Sequence, residues 1–133
     1  MNFALDYDGC GNADIEAFHA AVAELQDRGH RVYVVTMRYP SECAKVIEDY
    51  GVIADGIIPT SRRSKREACE KLGLPISIWI DDHPMAVEKD AKDIWPEVTP
   101  EGMIHAVDHR TGELAESSPE PLRDFSMLII PVF

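Results

Sequence analysis

Four apolar runs, at Met1–Leu5, in "RVYVVTMR", in "DGIIPT" and in "ISIWIDD", alternate with segments whose apolar residues recur at helical spacing. This alternation constrains the fold more than any other feature of the chain. Strands separated by helices are joined by right-handed crossovers, which line the strands up in parallel and put helices on both faces of the sheet. The expected fold class is therefore α/β, a three-layer Rossmann-like parallel sheet. The first helix is predicted from about Asp14, an N-cap, with Ile15, Phe18, Val22 and Leu25 as its stripe and Gly29 as its stop. The second follows Pro40-Ser41, with Cys43, Val46, Ile47 and Tyr50 on one face and Gly51 at its end. A third opens with Ser64 and Glu67 in capping-box spacing and closes on Gly73, and a last one runs from Pro84 to near Trp95.

In a parallel sheet of this kind, ligands bind at the carboxyl ends of the strands. Asp6 and Asp8, Thr36, Thr60, and Asp81 with Asp82 all fall at those ends. Each has an ordinary explanation when taken singly. Asp and Gly are common where a strand turns, and Thr suits buried strands. Lys65, in the first turn of a helix, opposes the helix dipole and would normally be a solvated surface residue. Two acidic pairs on one sheet edge are harder to dismiss. Four carboxylates gathered without a counter-ion would cost several kcal/mol in repulsion and desolvation. A hard divalent cation resolves that, and Mg²⁺ takes carboxylate, carbonyl and phosphate oxygens.

The order Asp-x-Asp, Thr, Lys, Asp-Asp resembles the haloacid dehalogenase-like phosphohydrolase superfamily over roughly residues 3–95. "VTMRYPSE" and "PTSRRSKR" are also similar to stretches of small bacterial and phage members. The resemblance implies an Mg²⁺-dependent phosphomonoester hydrolase with Asp6 as nucleophile, forming an aspartyl-phosphate. Asp8 would hold a proton for the leaving oxygen and then activate water. Mg²⁺ would be bound by Asp6, the backbone carbonyl of Asp8 and one of Asp81 and Asp82, with Asp82 favoured and Asp81 left to orient Lys65. Thr36 and Lys65 would hold the phosphoryl oxygens, and Arg38 would join them as a substrate-phosphate contact. Cys10 stands where threonine or valine is commoner in the family, with little effect expected. The segments where the family's caps are inserted, 9–13 and 60–64, are only five residues each, so a capless member with an open site is expected.

Charge narrows the substrate. With 24 acidic against 13 basic residues, the net charge is −11, which repels polyanions and argues against general nucleic-acid binding. Arg38, Arg62, Arg63 and Arg66 nevertheless form a basic cluster in the sequence, suited to a substrate with extra phosphate. A phosphorylated small molecule, with nucleotides among the candidates, is the expected partner. Phosphorylated macromolecular ends or phosphoproteins, or a domain of this kind that binds and no longer turns over, are the alternatives. A dinucleotide site lacks its third glycine, and a receiver domain would need an aspartate at the third strand. Glycoside hydrolysis would leave the second acidic pair unexplained.

The three cysteines are widely spaced, so neither disulfides nor zinc are indicated, and His105 and His109 lack a third ligand. No leader-like N-terminus and no apolar run of about 18 residues is present, so no membrane association and a cytoplasmic location are expected. Residues 1–133 read as one domain, with a core over 1–95 and a small β extension over 96–133. That extension holds a hairpin around Arg110-Thr111-Gly112 and a last strand in "SMLIIPVF", which could also join a second copy as a homo-oligomer.

Overall fold

The computed structural model describes residues 1–95 and, beyond them, three short strands at 106–107, 114–115 and 130–131. Strands β1 (Asn2–Leu5), β2 (Arg31–Thr36), β3 (Gly56–Pro59) and β4 (Ile78–Ile80) form a parallel sheet in the order β4-β1-β2-β3. β1 sits inside the sheet, with Ala4 opposite Tyr33 on one side and Trp79 on the other. Strands β5 (Ala106–Val107) and β6 (Leu114–Ala115) pair antiparallel, and β7 (Ile130–Pro131) adds antiparallel to β3. The expected turn at 110–112 lies outside the described residues.

The layers follow from period-2 alternation along the strands. Phe3, Leu5, Val32, Val34 and Ile57 face α1 (Ile15–Asp27) and α2 (Ala44–Tyr50), packing against Val22, Phe18, Leu25, Val46 and Tyr50. Ala4, Tyr33, Val35 and Ile58 face the other way, onto Cys69 of α3 (Lys65–Lys71), Leu72 and Leu74. Both faces of the inner strands are buried, which is why "RVYVVT" reads as a continuous apolar run. Replacing a side chain such as Leu5, 1% exposed, by Ala would cost about 2–5 kcal/mol.

Local chemistry sets the ends of the elements. Asp14 caps α1 by accepting from Ala17 N–H, and Gly29 ends it at φ 87°, where a side chain would be strained. Two expectations need correction. Pro40–Glu42 forms a separate 3₁₀ turn, so α2 starts only at Ala44 and its Ile47 is 41% exposed. The last helix is two short ones, α4 (Met85–Glu88) and α5 (Ala91–Ile94), interrupted by extended backbone at Lys89 and Asp90. The interruption frees Asp90 to accept from Ser64 N–H at 2.8 Å, which ties the segment to the start of α3.

Candidate active site

The chain leaves β1 at Asp6, whose N–H still donates to Ile80 O, and then makes one wide turn over Tyr7–Gly11. Gly11 N–H donates back to Asp6 O and Asn12 N–H to Tyr7 O, closing the turn. Asn12 Oδ1 accepts from Gly9 N–H, and the buried Tyr50 hydroxyl donates to Gly11 O. Gly9 is required twice over: its φ is 83°, and a Cβ there would run into the Asp82 carboxylate. Continued strand alternation would set Asp6 and Asp8 on one side, but it stops at Asp6. The turn sends Asp6 to Lys65 and Asp8 to Arg38.

Lys65 is brought in by α3. Ser64 caps that helix by accepting from Glu67 N–H at 3.2 Å and donates its own hydroxyl to Val87 O. The reciprocal half of the capping box is taken over by Asp90, while Glu67 pairs with Arg63 and Lys71. So anchored, Lys65 is 2% exposed, and its Nζ donates to Asp6 Oδ1 at 2.7 Å and to Asp81 Oδ2 at 2.6 Å. The solvated lysine of the ordinary reading is absent. Burial alone would push the ammonium's pKa down, but Asp6 and Asp81 outweigh it and raise the pKa above its usual value.

The carboxylates divide their work. Asp81 accepts from Lys65 with one oxygen and from His83 N–H with the other, at 2.8 Å. Asp6 is 6% exposed, gives one oxygen to Lys65, and leaves its Oδ2 buried without a hydrogen-bond partner. Burial lifts its pKa to about 8, opposed by Lys65 and reinforced by Asp81 and Asp82. Donor atoms of Asp6, Asp82 and Cys10 lie within 4.8 Å of one another. An orphaned buried oxygen beside a second carboxylate is a donor set that fits a divalent cation such as Mg²⁺. Asp8 and Asp81 contribute no side-chain oxygen to that cluster.

Thr36 ends β2, is buried, and accepts from Arg38 N–H at 3.3 Å. Arg38 forks onto Asp8, with Nε to Oδ2 at 3.0 Å and Nη2 to Oδ1 at 2.6 Å, and its third nitrogen donates to Glu42 O. Its guanidinium also lies over the Tyr7 ring. Both Asp8 oxygens are thus engaged by a cation.

The expected basic cluster is not a free one. Arg62 is 1% exposed, bonded to Glu42 and Met37 O, and stacked on Tyr39. Arg63 pairs with Glu67 and Asp90, and Arg66 with Glu88 while lying over Trp79. A strongly acidic chain supplies a carboxylate to each of these guanidiniums, so they do not add up to a second phosphate site. Trp79 packs into the α3-side core, and His83 stacks near Trp95 with ring centres 5.0 Å apart. His105 and His109 lie outside the described residues. Sequence reasoning expected little effect from Cys10 and gave Tyr50 only a place on a helix face, whereas Cys10 lies by Asp6 and Asp82 and Tyr50 holds the turn at Gly11 O. Only the wide turn, in which Gly9 has φ 83° and Gly11 N–H bonds Asp6 O, could have pointed to them.

Comparison of the chain with family models, with curated proteins and with solved structures found no match. No helix among the described residues is long and apolar enough to cross a membrane.

Proposed function

We propose that this chain is an Mg²⁺-dependent phosphomonoester hydrolase in which Asp6 is the nucleophile, with small phosphorylated molecules, nucleotides among them, as substrates. The observation that carries the reading is the buried Lys65 ammonium shared by Asp6 and Asp81, beside an Asp6 oxygen that nothing among the described residues donates to. Asp6 and Asp82, with the Asp8 backbone carbonyl as the family resemblance implies, would hold the ion. The bound ion supplies charge neutralisation for the incoming phosphate and keeps Asp6 ionised.

Asp6 attacks phosphorus in line with the leaving oxygen, forming an aspartyl-phosphate that water then hydrolyses. Lys65 and the Thr36 hydroxyl hold the phosphoryl oxygens as charge builds on them. Asp81 keeps Lys65 aimed at Asp6. Asp8 protonates the leaving oxygen and later takes a proton from water, which requires one of its oxygens to be released by Arg38. A guanidinium that can fork onto a carboxylate can fork onto a phosphate instead, so an incoming substrate offers Arg38 an exchange of partners.

The Arg38–Asp8 fork also favours a second reading, a domain that binds Mg²⁺ and phosphate without turnover. Phosphate release from a generic aryl phosphate and a panel of mononucleotides, with and without Mg²⁺ and beside Asp6→Asn, separates the two. Mg²⁺-dependent release lost in Asp6→Asn supports the hydrolase. Mg²⁺ binding by calorimetry, with no release from those esters, phosphopeptides or nucleic-acid ends, supports the binding domain.

A further inference from the structure

Cys10 is the one member of the Asp6–Cys10–Asp82 cluster that the hydrolase reading leaves without a part. It sits in the turn after β1, four residues past Asp6, and is 9% exposed. The turn that buries Tyr7 and Cys10 is closed by Gly11 N–H donating to Asp6 O, so Cys10 and Asp6 share one rigid loop. The two other cysteines, Cys43 in the core that also holds Cys10 and Cys69 in the core on the opposite face of the sheet, are not among the grouped donors.

The geometry suits a shared ion. Tetrahedral coordination with bonds of about 2.0–2.3 Å sets the oxygen and sulfur donors of one zinc-like ion roughly 3.3–3.7 Å apart. All three donor atoms here fall within 4.8 Å of one another, so closing on such an ion asks for at most about 1.5 Å of side-chain movement. The second observation is Asp6 Oδ2, buried and without a hydrogen-bond partner among the described residues. Donor type then decides which ion gains. Mg²⁺ has no use for sulfur, whereas thiolate ligands favour zinc and its softer relatives.

We propose that Cys10 is a third metal-ligating side chain, so that the centre takes a thiophilic divalent cation of the zinc class through an Asp–Cys–Asp donor set, in competition with Mg²⁺. Sulfur forms a bond to the arriving ion, and the thiol proton goes to solvent. With Mg²⁺ the same centre works through oxygen donors alone and Cys10 keeps its proton. The inference rests on Asp6 and Asp82 as cation ligands, as in the proposed function, but not on any turnover.

The test is titration of the full chain with Cd²⁺ and with Co²⁺, read by the thiolate-to-metal charge-transfer absorption in the near ultraviolet. Four proteins are compared: the unaltered chain, Cys10→Ser, the double variant Cys43→Ser with Cys69→Ser, and Asp82→Asn. The expected result is a one-equivalent band in the unaltered chain and in the double variant, with none in Cys10→Ser. Cd²⁺ affinity should fall at least tenfold in Cys10→Ser and in Asp82→Asn, and Mg²⁺ affinity by less than twofold in Cys10→Ser. A band that survives in Cys10→Ser, or saturable Cd²⁺ binding with no band in the double variant, overturns the inference. The double variant keeps the test decisive should Cys10→Ser fail to fold. Failure of the two readings is distinguishable: a Cys10-dependent band without phosphatase activity removes only the hydrolase, and Mg²⁺-dependent hydrolysis without the band removes only the cysteine ligand.

Discussion

Two buried ion pairs hold the carboxyl edge of this sheet, and they differ in their balance of charge. At the first, Arg62 and Glu42 are 1% and 7% exposed in their side chains, one positive charge against one negative. Both Glu42 oxygens are served by the guanidinium, and one also accepts from Tyr39 N–H. At the second, one Lys65 ammonium is shared by Asp6 and Asp81, Asp82 stands close by, and Asp6 Oδ2 has no partner. A pair of matched charge attracts no further ion, and its role is to tie the 37–42 loop to the 60–64 loop. An unbalanced one attracts a further positive charge. Equal burial therefore carries opposite meanings, and counting charges tells them apart.

Removing the centre's charges should break the comparison most visibly. Asp6→Asn is expected to lower phosphate release by at least about 10³-fold, as loss of a nucleophile does, measured as kcat/KM at saturating Mg²⁺. Lys65→Met should follow, with kcat down about 10²–10³-fold, because a charge aimed at the transition state is lost. A Lys65→Met protein that turns over normally would sink the role given to the ammonium.

Arg62→Met should leave Glu42 buried and unpaired, lowering stability by about 3–5 kcal/mol in denaturant unfolding. The double change Arg62→Met with Glu42→Met should recover most of that loss, since a matched pair can be exchanged for apolar contact. The same manoeuvre at Lys65 and Asp6 should not restore activity. Should the Arg62 and Glu42 changes prove additive, the pair is not the closed unit described here.

The pH dependence sharpens the contrast further. Burial raises Asp6 from its ordinary 3.8 to about 8, so the folded protein holds this proton more tightly than the unfolded chain does. Its contribution to stability is full below pH 3.8 and is lost as pH rises through about 8. Melting temperature followed over that range in chelator should fall more steeply for the unaltered chain than for Asp6→Asn. Mg²⁺ should flatten the difference, because a bound cation stabilises the ionised form. The smallest effect is expected at Arg66. Its pair with Glu88 is about half exposed, so Arg66→Ala should change stability by about 0–1 kcal/mol and leave KM unmoved. A several-fold rise in KM would restore Arg66 to the substrate.

The strands, the helix that opens at Ser64 and the carboxyl-end positions of Asp6, Thr36, Asp81 and Asp82 were all legible in the sequence. Periodicity and capping are local, and a window of a few residues carries them. The failures were also of one kind. Asp90 breaks a helix to serve Ser64, 26 residues away. Arg38, Arg62, Arg63 and Arg66 read as a cluster, yet each has a carboxylate that lies elsewhere in the chain or, for Arg63, in the first turn of α3.

By itself, then, the sequence determined an α/β sheet with acidic strand ends and a lysine at a helix start. Only the tertiary structure decided which charges meet. Lys65 reaches Asp6 across 59 residues, and Asp8 reaches Arg38 across 30. Hydrophobic period sets which face of an element is buried, but ion pairing depends on distances of a few ångströms between side chains of different elements. The wide turn after β1 sets those distances here, separating Asp6 from Asp8 and bringing Cys10 beside Asp82.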